Sequence, residues 1–446
     1  MASYTAALAF DSPERAARSG AAGLAELRWA RPPQGRKTRQ PAAAAAQRGL
    51  SQADKGTVLS AFYWGYALTQ VPGGYLASKL GGQRVLCSSM ITLAVVSILT
   101  PMTDKVEGSD VGDSPWWLTS VAAARVCVGV VQGVVFPSVH TLLAEWIAPH
   151  ARSRCVSVAM SGMYLGSAVA MLVAPATVEA IGARGQLQVH AAASVFWLAF
   201  FVAAFPHRAL PGGIKRDTLP TTTPSANGGS GAKGASVVVR GGAIPWGAMF
   251  RSPAVWAIIV NNFGYHYLVY VLVSWQPTYF EEALGVRLAG NKLASSGPYF
   301  VMTVCTTVGG LLSDALISRG NSVATARKYI NSAGFALSTL ALAAVPYVTN
   351  PSAAALVIAV AVGAAAIARG GFAVNHMDIA PRYAGVLMGL SNSAGTLAGV
   401  VGVKLTGTIL HVTHGTWAPV FHVAGAICAA VAVVFAIFGR GEKLFH

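Results

Sequence analysis

Eleven stretches of the chain are runs of mostly apolar residues, from 15 to 30 long, broken by polar segments. They are Thr57–Ala77, Val85–Pro101, Trp116–Glu145, Val156–Ala176, Ala191–Phe205, Val255–Gln276, Pro298–Leu316, Ile330–Val348, Ala353–Ala373, Val386–Ile409 and Pro419–Phe438. A helix needs roughly 20 such residues to cross the hydrocarbon core of a bilayer. The pattern therefore predicts an all-α, polytopic membrane protein. Five runs precede, and six follow, a polar stretch from Pro206 to Pro253 that contains SANGGSGAKGAS. This composition reads as a flexible basic linker (206–253) between two helical halves, 51–205 and 254–438, with a short tail at 439–446.

Composition strengthens this picture. Only 11% of residues are charged and 54% are hydrophobic, whereas a soluble domain carries roughly 25% charged residues. The net charge of +16 is not spread as a basic surface interleaved with aromatics, so no nucleic-acid partner is expected. The cations sit in alternate loops. On one side are Lys79 and Arg84, then His150, Arg152 and Arg154, the linker, then Arg319, Arg327 and Lys328, then Arg382, and finally Arg440 and Lys443. The opposite loops hold Asp104, Glu107, Asp110 and Asp113, then Glu281 and Glu282. The positive-inside rule puts the linker and C-terminus on the cytosolic side or its topological equivalent. Five scattered cysteines with no CxxC pair point to packing rather than to metal or disulfide chemistry.

The halves repeat one another. WIAPHARSR from Trp146 answers DIAPRYAGV from Asp378, and each IAP precedes a Gly-rich span. GGYLASKLGGQR from Gly73 answers GGLLSDALISRG from Gly309, each in a short basic loop. Ordered matches of this kind indicate two parallel six-helix repeats. The repeat then calls for a helix before Thr57, and residues 1–50 contain no apolar run that could supply it. That Ala- and Arg-rich segment has the composition of a transit peptide; a misassigned start is the other explanation.

SAFYWGYALTQVPGGYLASKLGGQRVL from Ser60, RVCVGVVQGVVFPSVH from Arg125, RSPAVWAIIVNNF from Arg251, SWQPTYFEEALG from Ser274 and NHMDIAPRYAGVLMGLSNSAGTLAG from Asn375 carry a resemblance from about Ser51 to the C-terminus. The chain resembles the anion transporter family of the major facilitator superfamily, which holds sodium/phosphate cotransporters, vesicular glutamate transporters, sialin and plastid phosphate transporters. The plant and algal phosphate-type branch is nearest. The resemblance implies secondary active transport of a small anion, foremost inorganic phosphate, with Na⁺ or H⁺ as coupling ion and no other cofactor. It also implies a monomer in a plastid envelope or thylakoid membrane, with Golgi, vesicle or plasma membrane as alternatives. An organic anion such as ascorbate, glutamate or a sugar acid is the rival substrate. A non-transporting sensor or inactive truncated product is the rival class. The chain departs from the family at helix four, where Gln132 replaces the common acid, and at Ser78, where the wider superfamily has an acid.

Within this frame several residues could carry chemistry. Arg125 lies well inside an apolar span, where a cation costs about 2.5–3.5 kcal/mol on insertion scales; Gln132, two turns on, shares its face. An arginine fork suits phosphate or carboxylate, and a structural ion pair is the alternative role. His140 follows Pro137, where the helix is expected to kink; it either lines the substrate route, as the resemblance implies, or bonds a backbone carbonyl. Tyr66, Tyr265, His266 and Tyr270 are polar tips in apolar spans, suited to ligand contact or to interfacial anchoring. By resemblance His376 approaches the cavity, while Asn375 and Asp378 act in gating. Gly74, Lys79, Arg84, Asp314 and Arg319 belong to the repeated loops, where charge pairs could latch the helix ends in one state. No Walker A, HExxH, GxSxG or dinucleotide-binding glycine turn is present, so no enzyme activity or catalytic residue is expected and the driving force is an ion gradient.

Overall fold

The structure, a computed structural model, describes residues 52–100, 115–205, 244–286 and 292–445. Residues 1–51, with the expected targeting segment, and most of the linker lie outside the described residues.

Every regular element among the described residues is helical. The first half holds α1 (Gln52–Leu80), α2 (Gly82–Leu99), α3 (Pro115–Gly133), α4 (Val135–Trp146), α5 (Arg152–Gly182) and α6 (Arg184–Ala204). The second holds α7 (Trp246–Arg251), α8 (Pro253–Glu282), α9 (Lys292–Ser318), α10 (Val323–Ala344), α11 (Pro351–Ile379), α12 (Ala384–Val412) and α13 (Ala418–Phe438). By length and composition the described residues form ten helices able to cross a membrane, counting α3 and α4 as one. The expected span Thr57–Ala77 is helical as α1 but is not among these ten; its Tyr, Gln, Thr and Gly content makes it more polar than the rest. The short α7 falls inside the stretch read from sequence as linker, so the last residues of that stretch, from Trp246, are helical and lead into α8.

Local sequence explains the boundaries. Asn350 Oδ1 accepts from Ser352 N and Ala353 N at 2.9 and 3.1 Å, and Ser322 Oγ accepts from Thr325 N at 3.1 Å, capping α11 and α10. Pro253 and Pro351 open their helices, where a missing N–H costs nothing. The α3/α4 break falls at Val134, just before Pro137, whose ring removes a donor and crowds the carbonyl four residues back. Gly182, at φ 72°, makes the tight reversal between α5 and α6.

Packing joins the halves along two seams, α1 against α12 and α5 against α9. Small residues set the approach. A Cβ on Gly74 would lie 2.6 Å from Gly385 C and 2.8 Å from Val386 Cα, and one on Gly310 would lie 2.5 Å from Ser157 Cβ. Such close backbone contact is how helices associate where lipid offers no hydrophobic drive.

Candidate functional site

One face of α11 looks onto the seam. Arg369, Phe372, Ala373 and His376 recur at intervals of three and four, and all are buried. Arg369 is 3% exposed, and its guanidinium carbon stands 4.7 Å from the centre of the Tyr265 ring, a cation–π contact that partly compensates a desolvated charge. Its Nε and Nη1 have no hydrogen-bond partner. Tyr66, Tyr164 and Tyr265 are within its electrostatic reach.

Tyrosines tie the halves together around this cation. The Tyr265 hydroxyl from α8 is hydrogen-bonded to the Tyr164 hydroxyl from α5. Asn392 Nδ2 on α12 donates to the Tyr66 hydroxyl on α1 at 3.0 Å. On α8, His266 Nδ1 lies 2.8 Å from Asn262 O, and its ring is 5.7 Å from that of Tyr270. Gly395 and Gly399 of α12 leave room for these two rings. The aromatic cluster is therefore in the protein interior, not at a membrane-anchoring position.

Below it, His140 of α4 and His376 of α11 meet edge to face, ring centres 5.6 Å apart. His140 Nδ1 lies 3.1 Å from Phe136 O, so the backbone-bonded role is met by one nitrogen; Nε2 is buried without a partner. His376 bonds Ala373 O through Nδ1 and Ser391 Oγ through Nε2, at 2.9 and 2.7 Å. Gln70, one turn beyond Tyr66, is fully buried and both its side-chain polar atoms lack partners.

Arg125 is placed elsewhere. It is 5% exposed and lines a cavity of about 280 Å³ built wholly from first-half residues, among them Ser97, Gln132, His190 and Trp197. The sequence grouped Arg125 with the histidines and tyrosines because each is a polar tip in an apolar run. The structure divides them, since Arg125 faces α2 and α6 rather than the second half. The sharing of one face by Arg125 and Gln132 holds.

Toward the linker end the halves are latched. Arg327 Nε binds Asp378 Oδ2 at 2.8 Å, and its Nη1 donates to Ser313 Oγ at 2.8 Å and to Ser153 Oγ of the first half. Arg152 Nη1 donates to Met377 O at 3.1 Å, and Arg154 N to Asp314 Oδ2 at 3.0 Å. Asn375 Nδ2 donates to Arg440 O at 2.6 Å, and the N–H groups of Leu444 and Phe445 reach Ile379 O at 2.8 and 3.1 Å. Gly74 sits at the close approach to α12. Asp314 thus pairs with a helix N-terminus rather than with Arg319, which is exposed. Lys79, also exposed, lies over the Tyr75 ring of its own helix, 5.6 Å away; Arg84 is exposed. Ser78, the counterpart of Asp314 in the first loop, bonds Tyr75 O at 2.7 Å within α1.

Two residues central to this arrangement, Arg369 and Arg327, were not singled out by sequence. A lone arginine inside an apolar run was the signal that picked Arg125, and it applies equally to Arg369. Arg327 has the sequence context of a loop charge, three residues before the apolar run that starts at Ile330.

Residues 40–403 match the Major Facilitator Superfamily. "Probable anion transporter 7" of Oryza sativa subsp. japonica is 42% identical over 418 residues, covering 89% of this chain and 90% of that protein. "Sodium-dependent phosphate transport protein 1, chloroplastic" of Arabidopsis thaliana is 33% identical, covering 90% and 74%. "Ascorbate transporter, chloroplastic" of the same plant is 32% identical, covering 88% and 69%. Among solved structures, the proton:xylose symporter XylE superposes with a TM-score of 0.63 at 14% identity, over 89% of each chain, a likeness of fold.

Proposed function

Given that the chain belongs to the anion transporter family of the major facilitator superfamily, we propose that it carries inorganic phosphate across its membrane, coupled to Na⁺ or H⁺, with Arg369 holding the anion between the halves. The observation that carries the reading is the buried Arg369 guanidinium with two unpartnered nitrogens, ringed by tyrosine hydroxyls. A buried cation without an acidic partner is expensive, and an anion that docks on it relieves that cost. An arginine fork also matches phosphate oxygens in pairs. Release on either side follows from rocking of one half against the other, with the Arg327–Ser153 contact between the halves parting on the linker side as the opposite end closes. The name of the Arabidopsis phosphate relative supports phosphate, and that of the ascorbate relative supplies the competing substrate. A plastid membrane is the proposed location by the same relatives; the more similar rice relative carries no plastid label in its name.

The test is uptake by purified protein in proteoliposomes. Labelled phosphate is offered under imposed Na⁺ or proton gradients with excess ascorbate or glutamate. Gradient-driven phosphate uptake that resists both competitors is expected. Uptake of ascorbate in place of phosphate would overturn the substrate, and uptake indifferent to both gradients would overturn the coupling.

A further inference from the structure

The seam carries one kind of charge and two kinds of vacancy in its hydrogen bonding. Among the described residues every carboxylate lies within two turns of a helix end or in the tail, so Arg369 is the fixed charge of the midplane seam and its neighbours there are neutral. Arg369 Nε and Nη1 are donors without acceptors. Two groups on the same seam are acceptors without donors. Because Phe136 O can only accept, His140 Nδ1 carries the ring proton and donates to it. In the neutral ring the Nε2 lone pair is then an acceptor, buried and unpartnered. Gln70 Oε1 is in the same condition, and Gln70 Nε2 beside it is a further donor without an acceptor.

We propose that this seam selects an oxyanion that bears a single negative charge and still carries a hydroxyl, which for phosphate is the dihydrogen monoanion. This rests on the phosphate reading above and sharpens it. One guanidinium neutralises one charge. A second charge would stand among neutral dipoles in a medium of low dielectric, where an uncompensated ion is strongly disfavoured. The hydroxyls of the monoanion supply the donors that His140 Nε2 and Gln70 Oε1 lack, whereas a fully ionised tetrahedral anion has none to give. A site built to bond a hydroxyl rejects analogues without it, because its own buried groups are then left unpaired.

The titratable and charged groups facing the seam are Tyr63 and Tyr66 of α1, His140 of α4, Tyr164 of α5, Tyr265, His266 and Tyr270 of α8, Tyr299 of α9, and Arg369 and His376 of α11. Comparing ligands at one fixed pH removes their titration from the result. The probes are sulfate, a dianion without a hydroxyl; methyl sulfate, a monoanion without one; and methylphosphonate and phosphate, held at a pH below their second ionisation. Thermal stabilisation of the full purified chain reads binding independently of transport.

Phosphate and methylphosphonate should stabilise the protein. Sulfate should require about tenfold or more higher concentration for the same shift, and Arg369→Gln should remove the effect of all four. Raising the pH through the second ionisation should weaken phosphate in step with loss of its monoanion. Sulfate binding as tightly as phosphate would overturn the charge rule, and methyl sulfate matching methylphosphonate would overturn the hydroxyl rule. Absence of phosphate uptake in proteoliposomes, with methylphosphonate still outbinding both sulfur anions, would sink the phosphate reading and leave the selection rule standing. If none of the four binds, the selection rule fails.

Discussion

Arg327 and Asp378 lie 51 positions apart and meet as a buried ion pair, Nε to Oδ2 at 2.8 Å, with side chains 1% and 4% exposed. The pair stands within the second half, but Arg327 also binds Ser153 of the first, so its geometry fixes the linker-side closure. Removing one partner of such a pair leaves a buried charge and costs about 3–5 kcal/mol. Asp378→Asn should therefore lower the midpoint of thermal denaturation by several degrees. It should also let a cysteine placed at Ser157, buried on the α5/α9 seam, react faster with maleimide. Unchanged stability and unchanged labelling would remove Arg327–Asp378 from the latch.

Arg369→Lys keeps the charge and loses the planar fork. Phosphate uptake, read as kcat/KM, should fall about tenfold or more, near 1.4 kcal/mol. Arg125→Lys should fall less, because Arg125 faces a cavity internal to the first half. Initial rates at matched reconstitution density check the pair, and a larger loss at Arg125 would reverse the assignment.

Gly74 leaves no room for a larger residue against Gly385 and Val386. Gly74→Val should hold the α1/α12 seam apart and abolish net uptake while ligand-induced thermal stabilisation survives. Normal transport by the valine variant would mean that the seam re-forms by a helix shift.

Arg319 and Lys443 lie at the linker-side helix ends and His414 at the opposite ends, all three exposed. On a background lacking the five native cysteines, Arg319→Cys and Lys443→Cys should label from one face of sealed vesicles. His414→Cys should label from the other. Shared accessibility of His414→Cys and Lys443→Cys would reject the topology.

The helices were legible because each apolar run is a local signal set by bilayer thickness. Their ends were not. The span expected to stop at Ala373 continues to Ile379 because its polar end, Asn375 to Asp378, is buried by partners from other helices, and burial by distant partners leaves no mark on local periodicity. The repeat was visible, and it pointed correctly to paired loops, but only the structure shows that Asp314 reaches Arg154 across the halves while Ser78 turns back on its own helix. For Arg125 the sequence gives burial and face without saying which neighbour that face meets. Arg369 carries the same signal, a lone cation inside an apolar run, and is equally silent about its neighbours.

The tail from Arg440 to Phe445 is bonded to Asn375 and Ile379, next to the carbonyl of Met377 that Arg152 of the first half grips. A fluorophore attached there, paired with an acceptor dye on α5, would sit at the hinge-side joint between the two bodies. Its energy transfer would follow individual transport cycles as opening and closing of that joint, turning the tail into a built-in reporter of turnover in single molecules.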